Sequence, residues 1–509
     1  MPSKVFSAAI VGLEAEIITV EIDTSYGLRY FNIVGLPDKA VQESRERISA
    51  AIKSARLKSP AQQAIKVLVN LAPADLKKEG TLYDLPITLA YLLNSGQTKF
   101  DPQNKVFVGE LSLEGELRAV KGVLVIALRA KQEGLKEIIL PEINVKEAAV
   151  VKGIKAIGLK NLKEVIDYLE GRLKILPYKI KGNFLQKDFK NRVDLCWVQG
   201  QEYAKRALEV TAAGGHNLLM EGPPGAGKTL LAKSLISILP SLSFQEAMEV
   251  TKIYSVAGLL PKQVPLLKTR PFRAPHHTSS EVSLIGGGNP PYPGEITLAH
   301  RGILFLDEFP EFHRDVLESL RQPLEEGEIT LLRSKNRATM PAKFTLVGAT
   351  NPCPCGYFGD PEKECACAPS QIAKYRRKLS GPLMDRIDLF IKVPQIKFEK
   401  LTAPQKEPES KKIKEKVEKA REIQGKRFKT EKAQNILINS EMEIPQIEKY
   451  CQIDSNSKAI LKKIVDLRKL SSRGYHKILK VARTIADLEN SEKISSSHIW
   501  EALMYRQRE

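Results

Sequence analysis

One short segment, residues 222–229, restricts the fold of this chain more than any other. It reads Gly-Pro-Pro-Gly-Ala-Gly-Lys-Thr and fits the pattern of a glycine, four residues and then Gly-Lys-Ser/Thr. An apolar run at 217–221 predicts a strand before it, and residues 230–239 predict a helix after it. This order is typical of a phosphate-binding loop, because backbone N–H groups and the helix N-terminus attract phosphate. The alternative is a glycine-rich surface turn, which the two flanking elements argue against.

The phosphate-binding loop predicts the cofactors, ATP and Mg²⁺, and their ligands. The Lys228 ammonium would reach the β- and γ-phosphates, and the Thr229 hydroxyl would bind Mg²⁺. The rest of the loop would surround the phosphates with backbone N–H groups. The expected nucleotide-binding residues are Gly222, Pro223, Pro224, Gly225, Ala226, Gly227, Lys228, Thr229, Leu230 and, from a second motif, Asp307.

The second motif, residues 302–308, reads Gly-Ile-Leu-Phe-Leu-Asp-Glu. Its consecutive apolar residues predict a buried parallel strand, and α/β proteins bind ligands at the carboxyl ends of such strands. We expect Asp307 to bind Mg²⁺, directly or through water, and Glu308 to act as the general base that polarises the attacking water. An exposed acidic pair is the alternative, but the phosphate-binding loop upstream favours the catalytic interpretation.

From about residue 194 onward the sequence resembles the YifB/ComM family of magnesium-chelatase-like AAA+ ATPases. The resemblance rests on Arg-Ala-Pro-His-His-Thr at 273–278, Gly-Gly-Gly at 286–288, residues 293–302, and Asn-Pro-Cys-Pro-Cys-Gly at 351–356. It implies a hexameric helicase that hydrolyses ATP and drives branch migration of DNA during natural transformation. Its implied partners are further copies of the chain and single-stranded or branched DNA.

The resemblance also implies roles for three further residues. Asn351, after a strand predicted at 344–350, corresponds to the first sensor, which would position the attacking water; a turn asparagine is the alternative. Arg386 corresponds to an arginine finger that would stabilise transition-state charge in the neighbouring subunit's site; an ion pair with an aspartate of the same chain is the alternative. Arg473 corresponds to the second sensor, which contacts the γ-phosphate from the lid, and Arg483 is a competing candidate.

Residues 1–172 predict a separate α/β domain. Two of its segments, 78–80 and 120–124, resemble the active-site segments of Lon-type protease domains, where a serine and a lysine activate each other. Leu82 and Leu124 stand near the serine and lysine positions, and neither side chain can do that chemistry. We therefore expect a Lon-like domain without peptidase activity that serves as a scaffold or binding domain. Its predicted strands are 18–22, 30–34, 65–69 and 138–141, and its predicted helices are 41–55, 84–93 and 122–131.

The expected fold class is α/β: a P-loop AAA+ core with a helical lid, preceded by the Lon-like domain, which is similar to ribosomal S5 domain 2. The length also favours several domains, at roughly 150 residues each. The expected boundaries are 1–172 for the Lon-like domain, 173–193 for a linker, 194–396 for the core with a helix-2 insert and a cysteine-rich knuckle, and 397–509 for the lid and magnesium-chelatase-like C-terminal domain.

The net charge of +19 suits a polyanionic partner such as nucleic acid, although a general gain in solubility is the alternative. Residues 328–339 predict a hairpin in which Arg333, Lys335 and Arg337 alternate and would share one face. In a ring, such a hairpin could point into the central pore and grip DNA phosphates. A solvated hairpin without a ligand is the alternative.

Six cysteines in 509 residues are too few for a disulfide scaffold. Four of them, Cys353, Cys355, Cys365 and Cys367, fit a structural Zn²⁺ site, because thiolates suit tetrahedral zinc. The single residue inside each pair departs from the usual spacing, so reduced free thiols remain the alternative. The neighbouring pair His276 and His277 is compatible with metal ligands and with a polar loop alike, and receives no assignment.

The composition, 42% hydrophobic and 27% charged residues, is typical of a soluble globular protein. The apolar run at 123–128 is far too short for a membrane span, and the N-terminus lacks a signal-peptide core. We expect a cytoplasmic protein without a membrane partner. Two other functions stay open: a chelatase-type motor that remodels a protein partner, and a nucleotide-gated scaffold.

Overall fold

The computed structural model describes residues 2–180, 193–262, 264–288, 291–333, 336–379, 381–395, 409–429, 436–466 and 471–506. Three clusters of buried apolar side chains organise these residues: one in the N-terminal region and one on each face of a second sheet. Within the described ranges, no helix combines the length and the apolar character needed to cross a membrane.

The N-terminal region is built on a mixed seven-stranded sheet. Its strands are β1 (Ser3–Val11), β2 (Glu14–Tyr26), β3 (Tyr30–Val34), β4 (Ile65–Ala72) and β5 (Lys105–Phe107), then β8 (Glu137–Pro141) and β9 (Lys155–Leu159), with a small ribbon of β6 (Glu110–Leu111) and β7 (Leu117–Arg118) between them. The order across the sheet is β3-β4-β2-β1-β5-β8-β9. Apolar and polar residues alternate along the strands. In β2, Ile18, Val20 and Ile22 are all fully buried, as expected for a strand with one face on a core.

Within the described residues 2–180, five α-helices accompany this sheet, and the predicted strands and helices of the region are confirmed. The helices are α1 (Lys39–Ser54), α2 (Asp84–Asn94), α3 (Val123–Gln132), α4 (Val145–Ala148) and α5 (Leu162–Leu169). Leu82, just before α2, and Leu124, in the first turn of α3, both have buried side chains. The two residues expected near the serine and lysine positions of a Lon-type protease therefore belong to the hydrophobic core.

The second sheet contains five parallel strands. They are β10 (Leu218–Glu221), β11 (Phe272–Arg273), β14 (Ile303–Leu306), β17 (Thr345–Thr350) and β18 (Leu389–Lys392). Their order is β11-β14-β17-β10-β18. Two hairpins extend from this region, β12 (Gly286–Gly287) with β13 (Tyr292–Pro293), and β15 (Glu328–Arg333) with β16 (Asn336–Pro341).

In the described part of residues 193–395, nine α-helices accompany the second sheet. They are α6 (Glu202–Gly214), α7 (Lys228–Ile238), α8 (Phe244–Ala257), α9 (Glu281–Ile285), α10 (Glu295–Leu298), α11 (Arg314–Ser319), α12 (Arg321–Glu326), α13 (Pro369–Arg377) and α14 (Gly381–Met384). Because the five strands are parallel, their carboxyl ends share one edge. β10 leads into the phosphate-binding loop, β14 ends directly before Asp307, and β17 ends directly before Asn351, so the topology gathers all three at that edge.

The C-terminal region is helical, as expected for a lid. Its helices are α15 (Glu409–Phe428), α16 (Ile444–Tyr450), α17 (Ser455–Asp466), α18 (Ser472–Leu488) and α19 (Ser496–Met504). One face of α18 packs on the cluster that also contains α6 and α7. Ile478, Val481 and Ile485 on that face are buried, so this face of α18 belongs to the core.

Asp388, directly before β18, ties the lid to the second sheet. Its carboxylate lies 2.7 Å from the Lys477 ammonium of α18 and accepts a hydrogen bond of 2.8 Å from the Asn217 backbone N–H. Burial alone would raise the pKa of Asp388, but the charges of Lys477 and His216 hold that pKa well below its usual range. This buried ion pair therefore attaches the lid to the core and is not a solvent-exposed surface contact.

Helix α8 connects the second sheet to the N-terminal region. Ala247, Val250 and Val256 of α8 belong to the same buried cluster as the N-terminal sheet. The Glu147 carboxylate of α4 accepts hydrogen bonds from the Leu124 backbone N–H, at 2.9 Å, and from the Ser255 hydroxyl of α8. Burial raises the pKa of Glu147, and these hydrogen bonds oppose the rise. Segment 120–124 resembles the lysine-bearing part of a protease site. In this structure it instead contacts α8, a helix that accompanies the second sheet.

Candidate nucleotide-binding site

The phosphate-binding loop has the backbone conformation that its glycines permit. Gly227 has φ +83° and directly precedes α7, which begins at Lys228. At Gly222 an added Cβ would lie 2.2 Å from the Val393 carbonyl oxygen, so only glycine fits between the loop and the end of β18. The Gly222 N–H donates to the Thr350 carbonyl at 3.1 Å. The loop is therefore held against the ends of both neighbouring strands.

The Lys228 side chain lies between the loop and the end of β17. Its ammonium donates to the carbonyl oxygens of Gly222, at 2.6 Å, and Pro223, at 2.9 Å. It also donates to the Asn351 side-chain oxygen at 3.1 Å. Burial lowers the pKa of Lys228, while the negative charge of Asp307 opposes this change. The structure thus brings together the predicted phosphate-binding lysine and the predicted first sensor.

Thr229 and Asp307 form the second contact of the site. The Thr229 hydroxyl donates to one Asp307 carboxylate oxygen at 2.7 Å. The other oxygen accepts the Glu308 backbone N–H at 3.0 Å. A hydroxyl and a carboxylate are the hard oxygen ligands that Mg²⁺ prefers, alongside water and substrate phosphates. The donor set present at this position therefore fits the predicted ion.

Glu308 lies beside these residues but points elsewhere. Its backbone is left-handed, with φ +50° and ψ 46°, a conformation uncommon for residues other than glycine. Its side chain is 55% exposed, and one carboxylate oxygen lies 3.1 Å from Nδ1 of His277. From the sequence, His277 was compatible with a metal ligand and with a polar loop alike and received no assignment; the pairing of β11 with β14 brings its segment close to Glu308.

Arg386 and Arg473 meet at Glu325, the last residue but one of α12. The Arg386 guanidinium lies 2.5 Å from the Glu325 carboxylate and the Arg473 guanidinium 3.6 Å from it. Arg386 thus has an intrachain ion pair, as its alternative interpretation expected, although the partner is a glutamate and not an aspartate. Both arginines line one cavity of about 850 Å³ between core and lid. Their ion pairs are with Glu325 and not with the phosphate-binding loop, Asp307 or Glu308.

Arg483, the competitor for the second-sensor role, is part of the lid interior. Its guanidinium lies 3.0 Å from the Asp487 carboxylate one turn along α18 and donates to the carbonyl oxygens of Ser491 and Glu492. The residue is 2% exposed. A buried guanidinium with this set of partners has no access to a nucleotide, so Arg473 is the better candidate.

The four cysteines of the knuckle come together after β17. The Cys353 sulfur lies 3.3 Å from that of Cys355 and 3.6 Å from that of Cys365, and the Cys355 and Cys365 sulfurs are 3.5 Å apart. With Cys367, all four sulfurs fall within 4.8 Å of one another. Within the described ranges no other group of three or more His, Cys, Asp and Glu side chains gathers its ligand atoms in this way, and His276 and His277 are not part of the group.

The predicted basic hairpin exists as β15 and β16, and Arg333 and Arg337 stand on different strands of it. Arg333 is the last residue of β15 and pairs with Asn336, while Arg337 pairs with Leu332. Lys335 and the side chains of Arg333 and Arg337 lie outside the described residues. The shared face of Arg333, Lys335 and Arg337, and their contact with DNA, therefore stay a prediction.

Comparison with known proteins places these features in one family. Residues 194–401 match the family described as magnesium chelatase, subunit ChlI. Residues 20–144 match subunit ChlI of Mg-chelatase, and residues 407–506 match its ChlI C-terminal family. A magnesium-chelatase 38 kDa subunit of Rhodobacter capsulatus is 29% identical over 30% of this chain and 49% of its own length.

Two other proteins are similar to this chain over nearly its full length. The competence protein ComM of Haemophilus influenzae is 42% identical over 508 residues, which cover 99% of this chain and 97% of that protein. The uncharacterised protein YifB of Escherichia coli is 41% identical over 511 residues, with the same coverage. Similarity of this extent includes the N-terminal sheet, the phosphate-binding core and the lid. The chain therefore belongs to the ComM/YifB family of magnesium-chelatase-like AAA+ proteins.

Proposed function

We propose that the protein is an ATP-hydrolysing motor that acts on DNA as a ring of six subunits. In this proposal it is a helicase that promotes branch migration during natural transformation and recombination. The observation that carries the proposal is the convergence of Lys228 with Asn351 and of Thr229 with Asp307 at one edge of the parallel sheet. The name of the similar Haemophilus influenzae protein, a competence protein, supports the biological setting.

Hydrolysis follows from what these side chains can do. Lys228 would bind the β- and γ-phosphates, and Thr229 and Asp307 would hold Mg²⁺, which supplies charge neutralisation on the phosphates when bound. Glu308 would accept a proton from the attacking water, and Asn351 would orient that water. All of these residues follow strands of one sheet, so they are held on rigid elements rather than on independent loops.

The position of the arginines supports a ring. Phosphoryl transfer gains strongly from a cation on the transferred phosphate, yet Arg386 and Arg473 are paired at Glu325 and not with the phosphate-binding loop of their own chain. A neighbouring copy could present its phosphate-binding edge to these two guanidinium groups. In that arrangement each ATP site is shared between two subunits, and the isolated chain has an incomplete site.

The proposed DNA function is tested by ATP-dependent unwinding and branch migration on forked and four-way DNA. We expect the wild-type protein to move both substrates and to hydrolyse ATP faster in the presence of DNA. Lys228→Ala should lose both activities, because it removes the phosphate-binding ammonium. Lys233→Ala is the matched control: Lys233 is exposed on the same helix α7 and should behave as wild type.

The same experiment separates the other functions. ATP hydrolysis that responds to a protein partner and not to DNA would contradict the helicase and favour a chelatase-type motor. Nucleotide binding without measurable hydrolysis would contradict any motor and favour a nucleotide-gated scaffold.

We further propose that the four cysteines hold a structural Zn²⁺ ion. A tetrahedral site with zinc–sulfur bonds of about 2.3 Å places sulfurs roughly 3.8 Å apart, close to the observed 3.3, 3.5 and 3.6 Å. These separations are far longer than a disulfide bond, which is about 2.05 Å. The segment 351–368 between β17 and α13 contains no helix or strand, and a metal would supply the core that so long an irregular segment otherwise lacks.

The zinc knuckle would brace the nucleotide site. At Gly356 an added Cβ would lie 2.5 Å from the side chain of Pro224, so the turn after Cys355 packs directly on the phosphate-binding loop. The knuckle also begins next to Asn351. The knuckle thus touches the phosphate-binding loop, which carries Lys228, and adjoins Asn351, the hydrogen-bond partner of Lys228.

Removal of the thiolate ligands tests this assignment. We expect the purified protein to contain about one zinc ion per chain, and Cys365→Ser/Cys367→Ser to lose it and to unfold at a lower temperature, because metal binding contributes directly to folding. Metal content is measured by elemental analysis and unfolding by calorimetry. Cys196→Ser, which changes a cysteine outside the knuckle, should keep the zinc. Wild-type protein without zinc would show that the knuckle is a cluster of reduced thiols.

For the N-terminal region we propose a Lon-like fold without peptidase activity. The support is the burial of Leu82 and Leu124 in the core and the use of the Leu124 N–H for the contact with Glu147 and α8. In this proposal the domain is a scaffold whose position depends on the ATPase core.

A further inference from the structure

We propose that the surface formed by Phe358, Lys374, Arg376 and Arg377, the knuckle–helix surface, binds single-stranded DNA. This contact is separate from the β15–β16 hairpin. The inference deepens the proposed DNA function and rests on it. Its starting point is the place where the segment between the two cysteine pairs lies against α13: the guanidinium carbon of Arg376 lies 5.2 Å from the centre of the Phe358 ring.

The basic side chains of α13 are directed to solvent and carry no counter-charge. Lys374, Arg376 and Arg377 are exposed, and none of the three makes an ion pair with a carboxylate in the described ranges. Lys378, just after the helix, does make one, with Glu311 at 2.9 Å. Residues 365–384 include these four lysines and arginines and no aspartate or glutamate. A phosphate backbone that approaches this stretch therefore meets unpaired positive charge.

The helix that carries these cations is anchored. Ile372 and Tyr375, one turn apart, are buried, and they hold one side of α13 against the core. Cations in the last turn of a helix also stabilise the helix dipole, a role that needs no ligand. The dipole does not account for an exposed aromatic ring beside the cations, and that ring is the feature that points to a nucleic acid.

Phe358 has the properties of a stacking platform for a base. Its side chain is 44% exposed, and the contact with Arg376 fixes the ring beside a guanidinium. An unpaired base stacks on such a ring, while neighbouring cations bind the phosphates on either side of it. The bases of a duplex are already stacked on one another, so the ring favours a single strand over a double strand.

The carboxylates of this region lie in one turn of the knuckle. They belong to Asp360, Glu362 and Glu364. The Asp360 carboxylate accepts hydrogen bonds from the backbone N–H groups of Glu362, at 2.8 Å, and Lys363, at 3.0 Å. The Lys363 ammonium lies over the ring of Tyr357, 4.9 Å from its centre. The negative charge is thus grouped in the turn 360–364, whereas the stretch that contains α13 is purely basic.

The knuckle–helix surface adjoins the nucleotide site on two sides. Gly356, two residues before Phe358, packs on Pro224 of the phosphate-binding loop. Lys378, at the end of α13, pairs with Glu311, which follows the proposed general base Glu308 by three residues. A strand bound to this surface therefore contacts elements that also touch both halves of the ATP site, which links DNA binding to the hydrolysis that DNA is expected to stimulate.

Fluorescence anisotropy with a labelled oligothymidylate and the full-length protein tests the site. Arg376→Ala/Arg377→Ala should weaken binding about tenfold and should reduce the slope of log affinity against log salt by about 1.4, the value for two lost phosphate contacts on a single strand. Lys53→Ala/Lys58→Ala is the matched control, because it removes two exposed cations of the N-terminal region and should bind as wild type.

The aromatic ring gives an independent test. Phe358→Ala should weaken binding of the single strand about tenfold, the effect of losing one stacked base, and should leave binding of a duplex of the same length unchanged. Phe358→Tyr keeps a ring and should bind as wild type. Photo-crosslinking of an oligonucleotide that contains 5-iodouracil should label the peptide with Phe358 in the wild-type protein.

The outcomes separate the site from the function on which it rests. Wild-type protein that does not bind single-stranded DNA contradicts the proposed DNA function. Wild-type binding that all the variants share, with no crosslink in this peptide, overturns the knuckle–helix surface alone. Sedimentation of each variant covers the remaining case: a loss of assembly with unchanged affinity for DNA would assign the surface to a contact between subunits and overturn the inference.

Discussion

Replacing Glu308 with glutamine is expected to lower the turnover number for ATP by about a hundredfold or more, the contribution of a general base. Glutamine has nearly the same shape as glutamate but cannot accept the proton of the attacking water. Binding of ATP should persist, because Lys228, Thr229 and Asp307 keep their contacts. Phosphate release measures the turnover, and a fluorescent ATP analogue measures binding.

Glu311→Gln is the control for this prediction. Glu311 lies just after Glu308, is exposed, and pairs with Lys378 at 2.9 Å, so its loss should leave turnover unchanged. A Glu308→Gln variant that hydrolyses ATP within about twofold of wild type would exclude Glu308 as the general base. The nucleotide-gated scaffold predicts a different result, in which Glu308→Gln leaves the biological function intact.

Replacing Arg386 with alanine is expected to lower ATP turnover by about a thousandfold, as for the loss of an arginine finger. Alanine also removes the ion pair with Glu325 in the same subunit, where the Arg386 side chain is 12% and the Glu325 side chain 46% exposed, so the result counts only for a variant that unfolds at the same temperature as wild type. The loss of activity would thus come from the neighbouring subunit's site.

Mixing of two inactive variants reveals whether the sites are shared. Arg386→Ala subunits keep the phosphate-binding loop, and Lys228→Ala subunits keep the arginine. In a mixed ring, some ATP sites combine the intact loop of an Arg386→Ala subunit with the intact arginine of a Lys228→Ala subunit. These sites are complete, so part of the wild-type turnover should return. Arg314→Ala, which alters an exposed arginine that pairs with Glu318 in its own helix, is the control. No recovery in assembled mixed rings would exclude the shared site.

Local patterns predicted the elements that carry the nucleotide site. The Gly-rich loop, its flanking strand and helix, and the apolar run before Asp307 are each contained in a few consecutive residues, and the structure contains β10, α7 and β14 at these places. The period-two alternation of β2 is equally local. Such patterns are reliable because the phosphate-binding backbone and the burial of one strand face depend mainly on neighbouring residues.

Contacts between segments far apart in the chain could not be predicted from local sequence patterns. The hairpin of Arg333 and Arg337 was predicted, but the pairing that puts these residues on different strands was not. The choice between Arg473 and Arg483 depended on burial: Arg483 satisfies its guanidinium inside the lid, while Arg473 is 63% exposed beside Arg386. Neither difference has a signature in the spacing of residues along the chain.

The sequence by itself determined the chemistry that this protein can perform at a phosphate: which lysine, hydroxyl and carboxylates are available, and that they follow strands of a parallel sheet. Only the tertiary structure decided how those groups are engaged. It directs Glu308 to His277, joins Arg386 and Arg473 at Glu325, and packs α8 against the N-terminal sheet. The physical reason is that motifs record short-range backbone requirements, whereas these contacts arise from the strand order and from packing between segments far apart in the chain.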